Sequence, residues 1–429
     1  MLLKVSPRGP LQGEVRVPGD KSISHRAVIA GALACGETVV ENFLKGRDCL
    51  STIACLRQVA GDIFRFDGPQ LIINGRGREG WREPDDVLDC GNSGTTIRLL
   101  TGLLAAQPFF SVLTGDASLR RRPMGRVAVP LRQMGAQIDG REEGRFAPLA
   151  IRGSKLHGAE ILLPVASAQV KSACILAALF AEGVTVIEEP ALSRDHTERM
   201  LAAAGAKIEK EGRRITVYPG DELRPLHLRV PGDISSAAFF LVAASIVRGS
   251  HVVIKDVGLN PTRDGIVRVL KQMGADIAVK NLREEAGEPV GDLEVRSASL
   301  RGTEVKGEII PTLIDEIPVL AVAALAAQGE TVVRDAEELR VKESDRISMM
   351  VRELSKMGAA IEELPDGFVV KGGRPLKGAE VESHGDHRIA MALAVAGLIA
   401  EGETVVHGAE WIDISYPGFA QDLQRLQEG

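Results

Sequence analysis

Tryptophan and tyrosine number two each in a chain of 429 residues, and aromatics make up 3% in all. Few stacking platforms for nucleobases are therefore present. Positive charge is not in excess either: 52 Lys and Arg stand against 58 Asp and Glu, a net charge of −6. Such a balance excludes bulk attraction to nucleic acid or an anionic membrane, though not a local basic cleft. The five cysteines, Cys35, Cys49, Cys55, Cys90 and Cys174, are odd in number, scattered and without a CxxC pair. A disulfide framework or zinc knuckle is thereby disfavoured and a reducing compartment favoured. Long apolar runs are missing: Ile389 to Ala400, at twelve residues, is the longest, against the roughly 18–20 that a membrane span needs. The first twenty residues carry no apolar core of a signal peptide. The expectation is a cytoplasmic protein. With 45% hydrophobic and 26% charged residues, the chain has the composition of a globular protein of two or three domains.

Internal repetition organises the sequence. A small-residue apolar stretch, a turn and a β-branched run recur as GALACGETVV (31–40), GLLAAQPFFSVLT (102–114), AALFAEGVTVI (177–187), AASIVRGSHVVI (243–254), AALAAQGETVV (323–333) and AGLIAEGETVV (396–406). With Thr38, Val112, Thr185, Val252, Thr331 and Thr404 as markers, the intervals are 74, 73, 67, 79 and 73 residues. A second signature follows an amphipathic stretch each time: AGDI (60–63), MGAQI (134–138), AGAKI (204–208), MGADI (273–277) and MGAAI (357–361). Ala-rich apolar runs closed by Gly suit buried helices, and TVV runs suit strands. The unit reads helix, Gly turn, strand, loop, helix, Gly-Ala turn, strand, strand. The sixth unit lacks the second signature, and LLKV (2–5) and GEVRV (13–17) are expected to supply its missing strands. VRVPGDKS (15–22) and LRVPGDIS (228–235) are near copies 213 residues apart. Read as crossings, they predict an α/β protein of two similar domains joined by a two-stranded hinge. One domain is 19–233, and the other is 1–18 plus 234–429.

Each long apolar helix is preceded by a polar cluster: GDKSISHR (19–26), GNSGTTIR (91–98), ASAQVKSA (166–173), GDISSAAF (232–239), TLIDEIP (312–318) and HGDHRIA (384–390). Helix N-termini carry exposed N–H groups and positive potential, and so favour anions. Lys21, Arg26, Arg98, Lys171 and Arg388 at such ends would build phosphate or carboxylate sites. Plain N-capping by Ser, Thr and Asp is the alternative for any single cluster. LRRRPMGR (119–126) places Arg120, Arg121 and Arg122 in a loop after a strand; a solvated charge run would read the same way. In ELRVKESDRI (338–347), Lys342 and Arg346 are four residues apart, a spacing that predicts one helix face with Glu343 beside them.

Other patterns fail on their surroundings. GRGREG (75–80) fits G-x-G-x-x-G, but Trp-Arg-Glu-Pro-Asp-Asp follows where an apolar helix should open. His384 and His387 flank Asp386 without a third ligand set. Ser193, Asp195 and His196 hold the triad residue types, yet adjacency in sequence is not triad geometry. Cys90 reads as a buried structural thiol.

Taken together, KSISHR, GNSGTTIR, RRPMGR, SAQVKSA, SRDHTERML, DEIPVLAVAA, ELRVKESDR and GDHRIAMA resemble the 5-enolpyruvylshikimate-3-phosphate synthases, in the wording of that family's second sequence class. The resemblance runs from about Pro18 to the C-terminus. It implies two domains, each of three βαβαββ units, and transfer of an enolpyruvyl group from phosphoenolpyruvate to the 5-hydroxyl of shikimate 3-phosphate with release of phosphate. No cofactor or metal is implied. The partners expected are these two small molecules, without nucleic acid or membrane, and the expected state is a monomer. Matched motif by motif, Lys21, Ser22, Arg26, Ser167, Gln169, Arg194, Asp315 and Lys342 fall at shikimate 3-phosphate positions. Lys21, Gly94, Arg122, Gln169, Arg346 and Arg388 fall at phosphoenolpyruvate positions. Asp315 matches the base at the 5-hydroxyl, Glu343 the proton donor to the methylene carbon, and Lys21 bridges both substrates. The resemblance also implies a target of the phosphonate inhibitor glyphosate. Some members carry a Lys just before the last Tyr/Phe-Pro, where this chain has Ile414 and Ser415. Two other readings stay open: the related transferase acting on UDP-N-acetylglucosamine, which needs a loop Cys that is missing near Arg122, and a non-catalytic anion-binding protein of the same fold.

Overall fold

The computed structural model describes residues 1–220 and 222–428. They form two compact units: residues 19–230 with 285–288, and residues 1–18, 231–284 and 289–429. Among the described residues the first unit holds three four-stranded sheets, and the second holds two four-stranded sheets, one of three strands and a short pair, Leu376–Lys377 with Ala400–Glu401. Each unit packs its sheets around three central helices and three outer ones.

In the unit of residues 19–230 the central helices are Lys21–Leu33, Gly94–Ala105 and Ala168–Ala178. Nearly every residue in them is buried, as expected of helices that are apolar all round. Gly102 lets two of them touch: a Cβ there would fall onto the Ala173 carbonyl. The outer helices Arg47–Ala60, Gly125–Gln133 and His196–Ala203 bury one face each. All three sheets share one pattern, a parallel first pair followed by two antiparallel strands. The first is His227–Arg229, Cys35–Glu41, Gln70–Arg76 and Phe64–Asp67. The second is Leu88–Asp89, Phe110–Thr114, Phe146–Arg152 and Gln137–Gly140, and the third is Glu160–Leu162, Thr185–Glu188, Arg214–Val217 and Ile208–Glu211.

The other unit repeats this plan with central helices Ile234–Ile246, Ile317–Ala326 and His387–Gly397. Its outer helices are Gly265–Gln272, Arg346–Lys356 and Phe419–Glu428. The first of these buries Ile266, Val267, Val269 and Leu270 while Arg268, Lys271 and Gln272 face out, the 3.6-residue signature of a surface helix. Met273 then enters the core and Gly274 turns the chain with φ +96°. Gly61, Gly135, Gly205 and Gly358 do the same at the equivalent turns, with φ between +80° and +101°, which only a residue without Cβ adopts freely.

One expectation is corrected. Leu2–Val5 does complete the sixth sheet, antiparallel to Thr404–His407. The second N-terminal strand, Gln12–Val15, does not join it; it pairs in parallel with His251–Gly258 of the fourth unit. Val15 thereby enters the core beside Ile254 and Val252. The first unit's missing strand comes from His227–Arg229, just ahead of the second VPGD. Each VPGD copy thus follows a strand that belongs to a sheet distant in sequence.

Candidate functional site

All six polar clusters open a central helix. Asp20, Ser93, Asp233 and Asp386 accept capping hydrogen bonds through their side chains, so part of their polarity is plain capping. Ser167 and Glu316 stand at the N-cap without a side-chain cap bond. The remaining charged groups gather in two clusters, one in each unit.

The first cluster lies in residues 19–230. Lys21 Nζ is 3.1 Å from Asp48 Oδ2, with the lysine side chain 15% exposed. Ser22 Oγ accepts from Arg194 Nη1 at 3.4 Å. Arg26 turns inward: it donates to the Ser22 carbonyl at 2.9 Å, Thr197 Oγ1 at 2.6 Å and Ser172 Oγ at 2.7 Å. These bonds connect three helices. Lys171 is also internal, wholly buried between Glu189 at 3.2 Å and Glu198 at 2.8 Å. Gln169 occupies the first turn of its helix, donating to Thr95 Oγ1 at 2.8 Å and accepting from Arg98 Nη1. Gly94 opens the neighbouring helix between two guanidinium groups; a Cβ there would lie 3.1 Å from Arg98 Nη1 and 3.3 Å from Arg122 Nη1. Arg122 is steered by Asn92 Oδ1 at 2.6 Å and Ser118 Oγ at 3.4 Å.

The second cluster centres on Arg346, 1% exposed, whose guanidinium meets three carboxylates. Nε is 2.8 Å from Asp386 Oδ2, Nη1 is 3.1 Å from Asp315 Oδ1 and Nη2 is 2.7 Å from Glu343 Oε2. A longer contact of 3.4 Å joins Nη2 to Asp386 Oδ1. Of the five N–H bonds this leaves one on Nη1. Burial works to lower the Arg346 pKa, but Asp386, Glu343 and Asp315 outweigh it and raise it above the ordinary arginine value. Lys342 Nζ lies 3.8 Å from Asp315 Oδ1; burial holds its ammonium below the usual lysine range, with Asp315 and Glu338 opposing. Arg388 donates to the Asp315 carbonyl at 3.2 Å and sits 3.9 Å from its carboxylate. Lys342 and Arg346 do not share a helix face. A 3₁₀ turn ends at Val341, and the α-helix begins at Arg346 because Asp345 caps the Ser348 N–H at 3.1 Å. Lys342 and Glu343 therefore reach Asp315 and Arg346 from a loop.

Paired carboxylates braced by arginine, with lysines beside them, suit proton transfer on an anionic substrate. The description of the family whose model matches residues 5–423 is EPSP synthase (3-phosphoshikimate 1-carboxyvinyltransferase). The chain belongs to the EPSP synthase family. It is similar to the 3-phosphoshikimate 1-carboxyvinyltransferases of Desulforudis audaxviator, 58% identical over all of both chains, and Pelotomaculum thermopropionicum, 59% identical over 99% of each. A solved EPSP synthase from Acinetobacter baumannii superposes with a TM-score of 0.88 at 45% identity, covering 99% of this chain and 98% of that one.

Two neighbours in these EPSP synthase clusters escape motif reading. Asp48, in the first turn of its helix, holds Lys21 and carries no periodic signal, while Asn92 holds Arg122 from inside GNSGTTIR, whose wording gave it no role of its own. Ile414 is buried, so its position contributes no cation. Among the described residues no group of three or more His, Cys, Asp or Glu is arranged to hold a metal ion, and His387 is buried at its helix start. No single helix is long and apolar enough to cross a membrane.

Proposed function

We infer that this chain transfers the enolpyruvyl group of phosphoenolpyruvate to the 5-hydroxyl of shikimate 3-phosphate, releasing phosphate, as a cytoplasmic monomer. The observation that carries the reading is the pair of carboxylates, Asp315 and Glu343, held on one guanidinium. Glu343 gives a proton to the methylene carbon, which makes the neighbouring carbon electrophilic. Asp315 accepts the proton of the attacking 5-hydroxyl. The resulting tetrahedral intermediate loses phosphate as a proton leaves the new methyl group. Arg346 fixes both carboxylates, so acid and base keep their spacing without reorganising. Lys342 flanks the carboxylate that receives the proton.

Lys21 contacts both substrates, with Ser22, Arg26, Ser167, Gln169, Arg194, Asp315 and Lys342 on shikimate 3-phosphate. Gly94, Arg122, Gln169, Arg346 and Arg388 hold phosphoenolpyruvate, Arg346 through the N–H that its carboxylates leave over. Arginine forks grip phosphate and carboxylate bidentately, which accounts for a basic site in an acidic protein. A coupled phosphate-release assay tests it. Turnover is expected with phosphoenolpyruvate plus shikimate 3-phosphate and not with UDP-N-acetylglucosamine; release with the nucleotide sugar, or with neither acceptor, would replace the reading by one of its two rivals.

A further inference from the structure

The repeat places an arginine at the start of the outer helix or two to three residues ahead of it in five of the six units: Arg47, Arg122, Arg194, Arg263 and Arg346. Arg122, Arg194 and Arg346 belong to the clusters described above. Arg263 does not. It is 2% exposed and points into its own unit, presented by a tight turn in which Asn260 Oδ1 accepts from the Thr262 N–H at 2.9 Å and the Arg263 N–H bonds the Asn260 carbonyl at 2.8 Å. Its Nη2 donates to Ser235 Oγ at 2.7 Å and lies 3.3 Å from Asp233 and 3.9 Å from Glu316 Oε1. Ser235 Oγ donates to the same Glu316 oxygen. Glu316, with its side chain fully buried, then lies 3.8 Å from Arg388 Nη1. That same nitrogen donates to the carbonyl of Asp315, the residue before Glu316.

We propose that Glu316, held by Arg263 and Ser235, is a positioning residue that sets Arg388 and the Asp315 backbone for phosphoenolpyruvate. The chemistry is that of a buried carboxylate with two arginine neighbours. One, Arg263, is structural and anchors the carboxylate between the starts of two central helices; the other, Arg388, is aimed by it. A buried charge so paired is costly to disturb from one side only. A guanidinium with a fixed carboxylate at its Nη1 also loses less rotamer freedom when it grips an anion. The proposal rests on the function inferred above.

A double-mutant cycle with Glu316→Gln and Arg263→Gln tests it, each variant being read for thermal stability and for kcat and the two KM values separately. The wild type must first turn over shikimate 3-phosphate and phosphoenolpyruvate; if it does not, it is the functional reading that has failed. Glu316→Gln is expected to raise the KM for phosphoenolpyruvate about tenfold, equivalent to about 1.4 kcal/mol, with the KM for shikimate 3-phosphate little changed. Glu316→Asp, which keeps the charge, is expected to recover part of that loss, and it serves as the readout should the glutamine variant not fold. The double variant removes both charges, so stability should return while the phosphoenolpyruvate KM stays raised. Recovery of both together would mean that the pair merely neutralises itself, and the positioning role would be overturned. An unchanged phosphoenolpyruvate KM in Glu316→Gln would overturn it as well.

Discussion

Gly94→Ala puts a methyl group into the narrowest part of the first cluster. The new carbon would stand 3.1 Å from Arg98 Nη1 and 3.3 Å from Arg122 Nη1, so each guanidinium must withdraw by a few tenths of an ångström. The backbone itself raises no objection, since Gly94 is the first residue of a helix and its φ is not left-handed. Arg98 yields least, because it is tied to Gln169 and also reaches the Pro123 carbonyl at 3.4 Å. Arg122 is held by Asn92 at 2.6 Å, and moving it disturbs a proposed phosphoenolpyruvate contact. Overpacking at such a position costs about 1–3 kcal/mol. The KM for phosphoenolpyruvate should therefore rise by about 5- to 30-fold, the equivalent of about 1–2 kcal/mol, and the KM for shikimate 3-phosphate should hardly move. Glyphosate, longer than the substrate it competes with, meets both the displaced arginine and the methyl group, so its inhibition constant should rise further than the substrate KM. Steady-state kinetics with phosphoenolpyruvate as the varied substrate, at several inhibitor concentrations, gives both numbers. Equal rises in the two would leave only the arginine displacement. No rise in either would refute the steric reasoning.

Asp315→Asn and Glu343→Gln should each lower kcat by about 10²–10⁴-fold with much smaller changes in KM; near wild-type turnover in either variant would remove that carboxylate from its role. Lys342→Met should raise the melting temperature at neutral pH while depressing turnover. The folded state disfavours charging this lysine, so the wild type bears a cost at neutral pH that is relieved once the pH passes the lowered pKa; melting curves from pH 7 to 10 should show the variant's advantage fading. Glu353 sits beneath the loop that carries Asp386, and its carboxyl, which burial alone would raise, is held below the ordinary range by Lys356, His384 and the Glu382 N–H. Its contribution is present above the unfolded glutamate pKa and is lost as pH falls through the lowered folded one. Glu353→Gln should thus destabilise by about 1–3 kcal/mol at pH 7, and a melting difference that fails to shrink in acid would contradict the assignment.

The repeat was legible because two periodicities alternate within it: Ala-rich helices buried all round, and TVV strands entered from a left-handed glycine. Motif wording located Asp315, Glu343, Arg346 and Arg388, all of which converge in one cluster. Pairing was less legible. Gln12–Val15 has the same strand-like character as Leu2–Val5, and only burial of Val15 in the fourth unit's core distinguishes them. The loop between Val341 and Arg346 was misjudged because four-residue spacing also arises when a capping Asp restarts a helix. Lys171 looks identical in sequence to a ligand-facing cation, yet its partners Glu189 and Glu198 come from later elements and draw it inward.

The exchange of first strands has a consequence for how the chain can be made and cut. Residues 19–230 carry every strand of their three sheets within one continuous stretch, closing with His227–Arg229. The other unit is discontinuous: its fourth sheet needs Gln12–Val15 and its sixth needs Leu2–Val5. During synthesis those first fifteen residues must wait, unpaired, until the ribosome has delivered His251–Gly258 and then Thr404–His407. Both chain ends meet in that unit, where Arg425 bonds the Glu14 carbonyl at 2.7 Å and Met1 pairs with Glu410 at 2.6 Å. A circular permutant that joins residue 429 to residue 1 and opens at Gly19 would place Leu2–Val5 and Gln12–Val15 after Thr404–His407, so that every strand of the second unit follows residue 231. It would also remove the passage at residues 18–19 while keeping that at residues 230–231 and the short excursion of residues 285–288. The same contacts would then be reached without holding the strands Leu2–Val5 and Gln12–Val15 unpaired from the start of synthesis.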